Sequence, residues 1–292
     1  MFKGSIVALV TPFTKKGGVD EERLRFLVNW HIENKTDSIL VCGTTGESAT
    51  LTHDEHKRVV TVAIEEAGNR IPIIAGAGSN ATHESLDLGM YASKVKAAAL
   101  LVITPYYNRP TQEGLYLHFK KISKGVRMPV IIYNVPSRTG VNILPETVAR
   151  IYKSCPNVIG IKEASASLDQ ITRIMTLVDG KFVLLSGSDE VTLPILSLGA
   201  RGVVSVVANI APVMTHNLVD SYLKGDIDKS KKIQFHLYGL IKALFIETNP
   251  IPVKTALGLM GMIEPNLRLP LCAMNKVNFI KLQSTLKKYK LI

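Results

Sequence analysis

Three cysteines in 292 residues, Cys42, Cys155 and Cys272, are too few and too widely spaced for a disulfide framework, and no CxxC pair suggests a structural zinc site. Long hydrophobic runs are also missing. The longest, "AAALLVITP" and "GVVSVVANIAP", fall far short of a membrane span and end in turn residues. The N-terminal "MFKGSIVALVTPF" has only a short apolar stretch with no small-residue cleavage site ahead of the fold, so a cytoplasmic protein is expected. Acidic residues are in the minority, 24 against 35 Lys and Arg, for a net charge of +11. The basic residues are scattered, densest in "KLQSTLKKYK", and no recognition motif or interleaved aromatic residue accompanies them. A solvated basic surface that attracts small anions fits better than a nucleic-acid or membrane partner.

What is present is a chain with 46% hydrophobic and 20% charged residues, enough for a large core and too apolar for disorder. Apolar, β-rich runs recur at 5–13, 38–43, 71–78, 99–105, 129–136, 158–165, 182–187 and 202–209. Between them lie stretches of helical spacing such as "DEERLRFLVNWHIE", "THDEHKRVVTVAIEEA" and "LDQITRIMTLV", several opening on Thr, Asp or Ser as N-caps. Strands apolar on both faces alternating with helices predict an α/β fold, a (β/α)8 TIM barrel over 1–224, with a doubly wound open sheet as the alternative. Beyond Asn209 the pattern is helical, broken at Gly225, "ETNPIP" and "EPNLRLP", which predicts a C-terminal helical extension over 225–292.

In such a barrel chemistry gathers where strands end and βα loops begin. Those ends hold "CGTTGES", "TPYYNRP", "YNVPSRTG", "IKEAS" and "SGSDE". The run "NVIGIKEAS" raises the central question, because an ammonium at the end of an inner strand either pairs with a carboxylate or serves as a reactive amine. Strand alternation places Val158, Gly160 and Lys162 on one face, with the small Gly160 leaving room beside the lysine stem, and sends Glu163 toward the helices. Neighbouring strand ends offer Tyr, Thr and Arg but few carboxylates, which favours an amine able to form a Schiff base with a ketone.

Tyr133 can shuttle protons if Thr44 and Tyr107 relay them. "GTTGE" sets Thr44 and Thr45 between glycines, in a tight turn suited to a small carboxylate, and Arg138 offers a fork for a second one. Two motifs lead nowhere. "GAGSNA" mimics a dinucleotide fingerprint but lacks the acidic residue about 20 positions on, and His53 and His56 share a helical face without a third ligand.

The combination "GTTGES", "TPYYNRPTQEGLY", "YNVPSRTG" and "GIKEAS", together with "GSIVALVTPF" and "NPIPVK", resembles the dihydrodipicolinate synthase family. That family lies within the pyruvate-dependent class I aldolase superfamily that includes N-acetylneuraminate lyase. The resemblance implies Lys162 as the Schiff-base lysine, Tyr133 as the central proton-relay tyrosine, Thr44 as its partner, and Tyr107 as a third relay member reaching into a partner subunit's site. Thr45 resembles the residue that holds the pyruvate carboxylate and Arg138 the one receiving the semialdehyde carboxylate. Gly187 and Val204 resemble backbone-contact positions, although many relatives carry isoleucine at the latter.

The implied reaction condenses pyruvate with L-aspartate-4-semialdehyde, without metal or diffusible cofactor, to the precursor of diaminopimelate and lysine. Ser48, Ala49, His53, His56, Asn80, Glu84 and Tyr106 resemble the family's effector pocket for L-lysine, which implies feedback inhibition, and a homotetramer arranged as a dimer of dimers is expected. Another aldolase or lyase of the superfamily is the nearest alternative. A basic binding barrel that has lost its chemistry is the alternative of a different class.

Overall fold

The computed structural model describes Phe2–Ile292. Among these residues eight strands, β1 (Gly4–Ala8), β2 (Ser38–Val41), β3 (Ile73–Gly76), β4 (Ala99–Ile103), β5 (Val130–Asn134), β6 (Val158–Glu163), β7 (Val183–Ser186) and β8 (Gly202–Ser205), follow in order around a closed barrel. The barrel is the one expected from sequence. Nearly every strand residue is buried, which is why the runs read as apolar throughout instead of alternating.

Helix starts follow the predicted caps. Asp20 accepts from Arg23 N–H ahead of the helix Glu21–Glu33, and Ser167 accepts from Gln170 N–H ahead of Leu168–Leu177. Thr52 and Glu55 form a reciprocal capping box on His53–Ala67, worth about 1 kcal/mol. The observed strands are shorter than the apolar runs at their C-terminal ends. Leu9, Val10 and Phe13 continue beyond β1 fully buried, and Val207–Asn209 after β8 forms a buried 3-10 turn. Hydropathy reports burial, not ladder hydrogen bonding, so it overruns wherever a loop is covered.

Two compact units make up the chain, one built on Ile74–Val204 and the other on Gly4–Ile73 with Ser205–Ile292. In the first, β5 pairs with β6 so that Tyr133 lies opposite Lys162 and Asn134 opposite Glu163. A register shift absorbs Ile159: Val158 pairs with Val130, and Gly160 with Ile131. Gly160 and Lys162 therefore share a face, while Val158, expected beside them, is out of phase.

In the second unit β1 pairs with β2, and the helix Pro212–Leu223 packs on β1. Helices Ile227–Leu244, Ile251–Leu259 and Lys276–Lys288 follow, the first packing on Pro212–Leu223 and on the last. The breaks fall as predicted. Gly225 has φ of +88°, a conformation that suits glycine, between the helices Pro212–Leu223 and Ile227–Leu244. Among the described residues no helix is long and apolar enough to cross a membrane.

Candidate active site

Lys162 ends β6 with only 6% of its surface exposed, and Tyr133 ends β5 with 7%. Their pairing brings the Lys162 Nζ over the Tyr133 ring, 4.0 Å from its centroid. Among the described residues no carboxylate forms an ion pair with Lys162. The buried carboxylate one residue on, Glu163, has the opposite parity and is engaged elsewhere. It accepts from Asn134 Nδ2 at 3.0 Å, Gln170 Nε2 at 2.9 Å and Ser165 N–H at 2.7 Å.

Asn142 completes this cluster. It donates to Gln170 Oε1 at 2.6 Å and accepts from Asn134 Nδ2 at 2.7 Å. This polar network at the strand ends ties β5 and β6 together at the residues that directly follow Tyr133 and Lys162. The amine is thus held by its covalent stem and by packing, with the Tyr133 ring beside it.

The glycine that makes room for the lysine stem is not Gly160. A Cβ at Gly160 would meet the carbonyl oxygen of Val183 at 2.0 Å, so that glycine is required by the close approach of β7. Gly187 is the one against the stem: a Cβ there would lie 3.1 Å from Lys162 Cε and 2.6 Å from the Ala164 methyl. Gly187 N–H donates to Glu163 O at 2.8 Å, which fixes the end of β7 beside the lysine. Val204, on β8, is buried.

Tyr107 is 89% exposed, in the loop after β4, with φ of +71° and its N–H directed to Thr139 O. Arg138 is exposed on the short helix Pro136–Thr139 after β5. In the same unit the Ser79 hydroxyl donates to the Glu84 carboxylate, Asn80 Oδ1 lies 3.4 Å from the same hydroxyl oxygen, and Asn108 Nδ2 donates to Asn80 O at 2.8 Å, so Asn80 and Glu84 form one cluster near the start of the helix Thr82–Lys94. Tyr106 is half-buried in the loop after β4.

Gly78 in the dinucleotide look-alike stands where a Cβ would strike Ile103 N at 2.3 Å, so a backbone approach to β4, not a phosphate, accounts for it. Among the described residues no group of three or more His, Cys, Asp or Glu side chains is arranged to hold a metal ion.

Thr44 and Thr45 lie in the other unit, in the turn after β2, closed by Gly46 N–H and Ser48 N–H on Gly43 O and by Glu47 N–H on Thr44 O. Cys42 and Glu47 flank them at φ of +54° and +52°. Ser48 and Ala49 follow in a 3-10 turn, and His53 and His56 open the helix His53–Ala67 with His56 buried. Sequence reasoning passed over two features: the cluster around Glu163, whose parity was its only signal, and Lys254, buried in the most apolar of the C-terminal helices, which "NPIPVK" announced only as a charge in an apolar run.

A family model described as the dihydrodipicolinate synthetase family matches residues 1–289. The chain belongs to this family. It is 52% identical over 292 residues, the full length of both chains, to the 4-hydroxy-tetrahydrodipicolinate synthase of Syntrophus aciditrophicus. The structure of the chloride-inhibited dihydrodipicolinate synthase from Acinetobacter baumannii complexed with pyruvate superposes with a TM-score of 0.97 at 43% identity, covering 100% of each chain. That of the enzyme from Cyanidioschyzon merolae with lysine bound gives 0.96 at 38% identity, covering 100% of this chain and 99% of that one.

Proposed function

We propose that the protein condenses pyruvate with L-aspartate-4-semialdehyde to 4-hydroxy-tetrahydrodipicolinate and water, through an imine on Lys162. The observation that carries this reading is the buried Lys162 amine, without a carboxylate partner and set 4.0 Å from the Tyr133 ring centroid. The amine attacks the pyruvate ketone and expels water as Tyr133 delivers protons, with Thr44 and Tyr107 as relays. Loss of a methyl proton converts the imine to an enamine, whose carbon forms the new bond to the semialdehyde carbonyl. The semialdehyde's own amine then adds to the imine carbon, and Lys162 leaves by transimination. Lys162 supplies the electron sink as its protonated imine, so no diffusible cofactor enters the scheme.

Thr45 receives the pyruvate carboxylate and Arg138 that of the semialdehyde, with Gly187 and Val204 shaping the backbone around the adduct. The 89% exposure of Tyr107 supports a side chain that finds its place against a second subunit, in a homotetramer built as a dimer of dimers. L-lysine is the effector, received by Glu84 for its ammonium and by Asn80 and Tyr106 for its carboxylate, with Ser48, Ala49, His53 and His56 around it. The lysine-bound relative from Cyanidioschyzon merolae supports this. Unchanged turnover in millimolar lysine, with no heat on titration, removes the effector assignment. The enzyme is assigned to the cytoplasm, in keeping with described residues among which no helix is long and apolar enough to cross a membrane.

Borohydride reduction with pyruvate, followed by peptide mapping, tests the core of the reading. A pyruvate-sized adduct on Lys162, absent from folded Lys162→Ala, is expected. No adduct in wild type would move a non-catalytic binding barrel ahead, and turnover of a sugar aldehyde in preference to the semialdehyde would favour a lyase of the superfamily.

A further inference from the structure

Outside the lysine–tyrosine pair, Lys254 and Glu47 form a buried ion pair, with side chains 0% and 1% exposed and Nζ and Oε1 2.6 Å apart. Both belong to the unit that carries Thr44 and Thr45. A buried ion pair is a weak source of stability, since well-packed apolar residues of similar volume often serve as well or better, so its use here calls for another account.

Its surroundings supply one. Glu47 Oε2 accepts the Arg268 N–H at 3.1 Å, and Lys254 Nζ stands 4.0 Å from the centroid of the Phe13 ring. From the same "NPIPVK" segment, Asn249 Nδ2 donates to Thr45 Oγ1 at 2.9 Å, and Thr11 Oγ1 donates to Gly46 O at 2.7 Å. Three successive residues, Thr45, Gly46 and Glu47, are each held by a side chain from a distant part of the chain. The turn needs such holding, because Cys42 and Glu47 occupy the left-handed region without being glycine, a conformation kept only where the surroundings over-determine it.

The direction of one bond matters for chemistry. Because Asn249 donates to the Thr45 oxygen, the hydroxyl hydrogen of Thr45 is left to donate to an anion.

We propose that Glu47 and Lys254 form a positioning pair that, with Asn249, sets the Thr44–Thr45 turn in the conformation that receives the pyruvate carboxylate. The inference rests on the proposed role of Thr45 and deepens it. Lys254 and Glu47 act through the turn, and neither takes part in the bond changes.

The test compares Lys254→Met, Glu47→Gln, the double variant and Thr45→Val, measuring pyruvate KM, kcat and the urea midpoint for each. The single variants strand a buried charge and are destabilised, while the double variant removes both charges and recovers stability. If the pair positions the turn, pyruvate KM rises about tenfold or more in the double variant although its stability has returned, with a smaller change in kcat, because a displaced binding group weakens substrate capture. Asn249→Ala, which leaves the ion pair intact, raises pyruvate KM as well and carries the test if a single variant does not fold. A double variant with wild-type KM overturns the proposal and leaves an ordinary structural pair. Wild-type KM in Thr45→Val instead overturns the carboxylate role beneath it, so the two failures are told apart.

Discussion

A methyl group added at residue 187 tests the placement of the Lys162 amine. In Gly187→Ala the new Cβ would stand 2.6 Å from the Ala164 methyl, 3.0 Å from Glu163 O and 3.1 Å from Lys162 Cε. Carbon atoms rest at about 3.5–4.0 Å, so Ala164 must retreat by about 1 Å and the lysine stem by about half that. Overpacking of this kind costs about 1–3 kcal/mol, which a domain stable by about 5–15 kcal/mol withstands. The chemistry suffers more, because a nucleophile displaced by roughly 1 Å can lose about a hundredfold in rate.

The assay is the rate of pyruvate adduct formation under borohydride quench, paired with a urea melt. Expected is a cooperative unfolding transition lowered by about 1–3 kcal/mol, with the folded state still dominant in the assay and trapping slowed by about tenfold or more. Wild-type trapping in a wild-type-stable variant refutes the placement of Gly187 against the stem. Gly160→Ala is the counterpart. Its Cβ would meet the Val183 carbonyl at 2.0 Å, a backbone atom with little freedom, so stability falls first and trapping only as the folded fraction falls.

Acid should weaken the fold through two histidines that the sequence analysis did not weigh. Burial pulls His31 down to about 3 and His118 down to about 4, from 6.5 in the unfolded chain. The unfolded state therefore binds more protons, so this stability is complete above about pH 7 and is lost as the pH falls toward 4. Between pH 7.5 and 5 each histidine costs about 2 kcal/mol, about 4 kcal/mol together, and His118→Gln should halve the loss in urea midpoint experiments, whereas a flat profile refutes it. Below pH 4.5 Glu55, held at about 2 chiefly by its hydrogen bonds from Arg268, adds to the same decline. Glu163→Gln should cost about 1–3 kcal/mol, since an amide then faces donors from Asn134, Ser165 and Gln170, while the borohydride adduct still maps to Lys162. Loss of adduct in a folded Glu163→Gln protein would show that Glu163 does more than secure the strand ends.

Much of the fold was legible because a parallel barrel imposes strong local signals. Its strands are buried on both faces and read as apolar runs, and helix starts such as Asp20, Thr52 and Ser167 are set by hydrogen bonds to N–H groups three residues away. Strand ends were less legible: Val207–Asn209 is as apolar as a strand but buried as a 3-10 turn. Local alternation put Glu163 on the helix side and Lys162 on the other face, and its parity held because no register shift intervenes between the two. It failed for Val158, where the shift at Ile159 takes one residue out of phase.

Chain order and residue type were therefore enough for the barrel, the family motifs and the candidacy of Lys162 and Tyr133, because period, caps and motif spacing are properties of neighbours along the chain. Three matters were left to tertiary structure: the 4.0 Å approach of Nζ to the tyrosine ring, the choice of Gly187 over Gly160 as the glycine beside the stem, and the burial of Lys254 on Glu47. Each depends on the distance between segments remote in sequence, which is set by packing and strand register and has no counterpart in local composition.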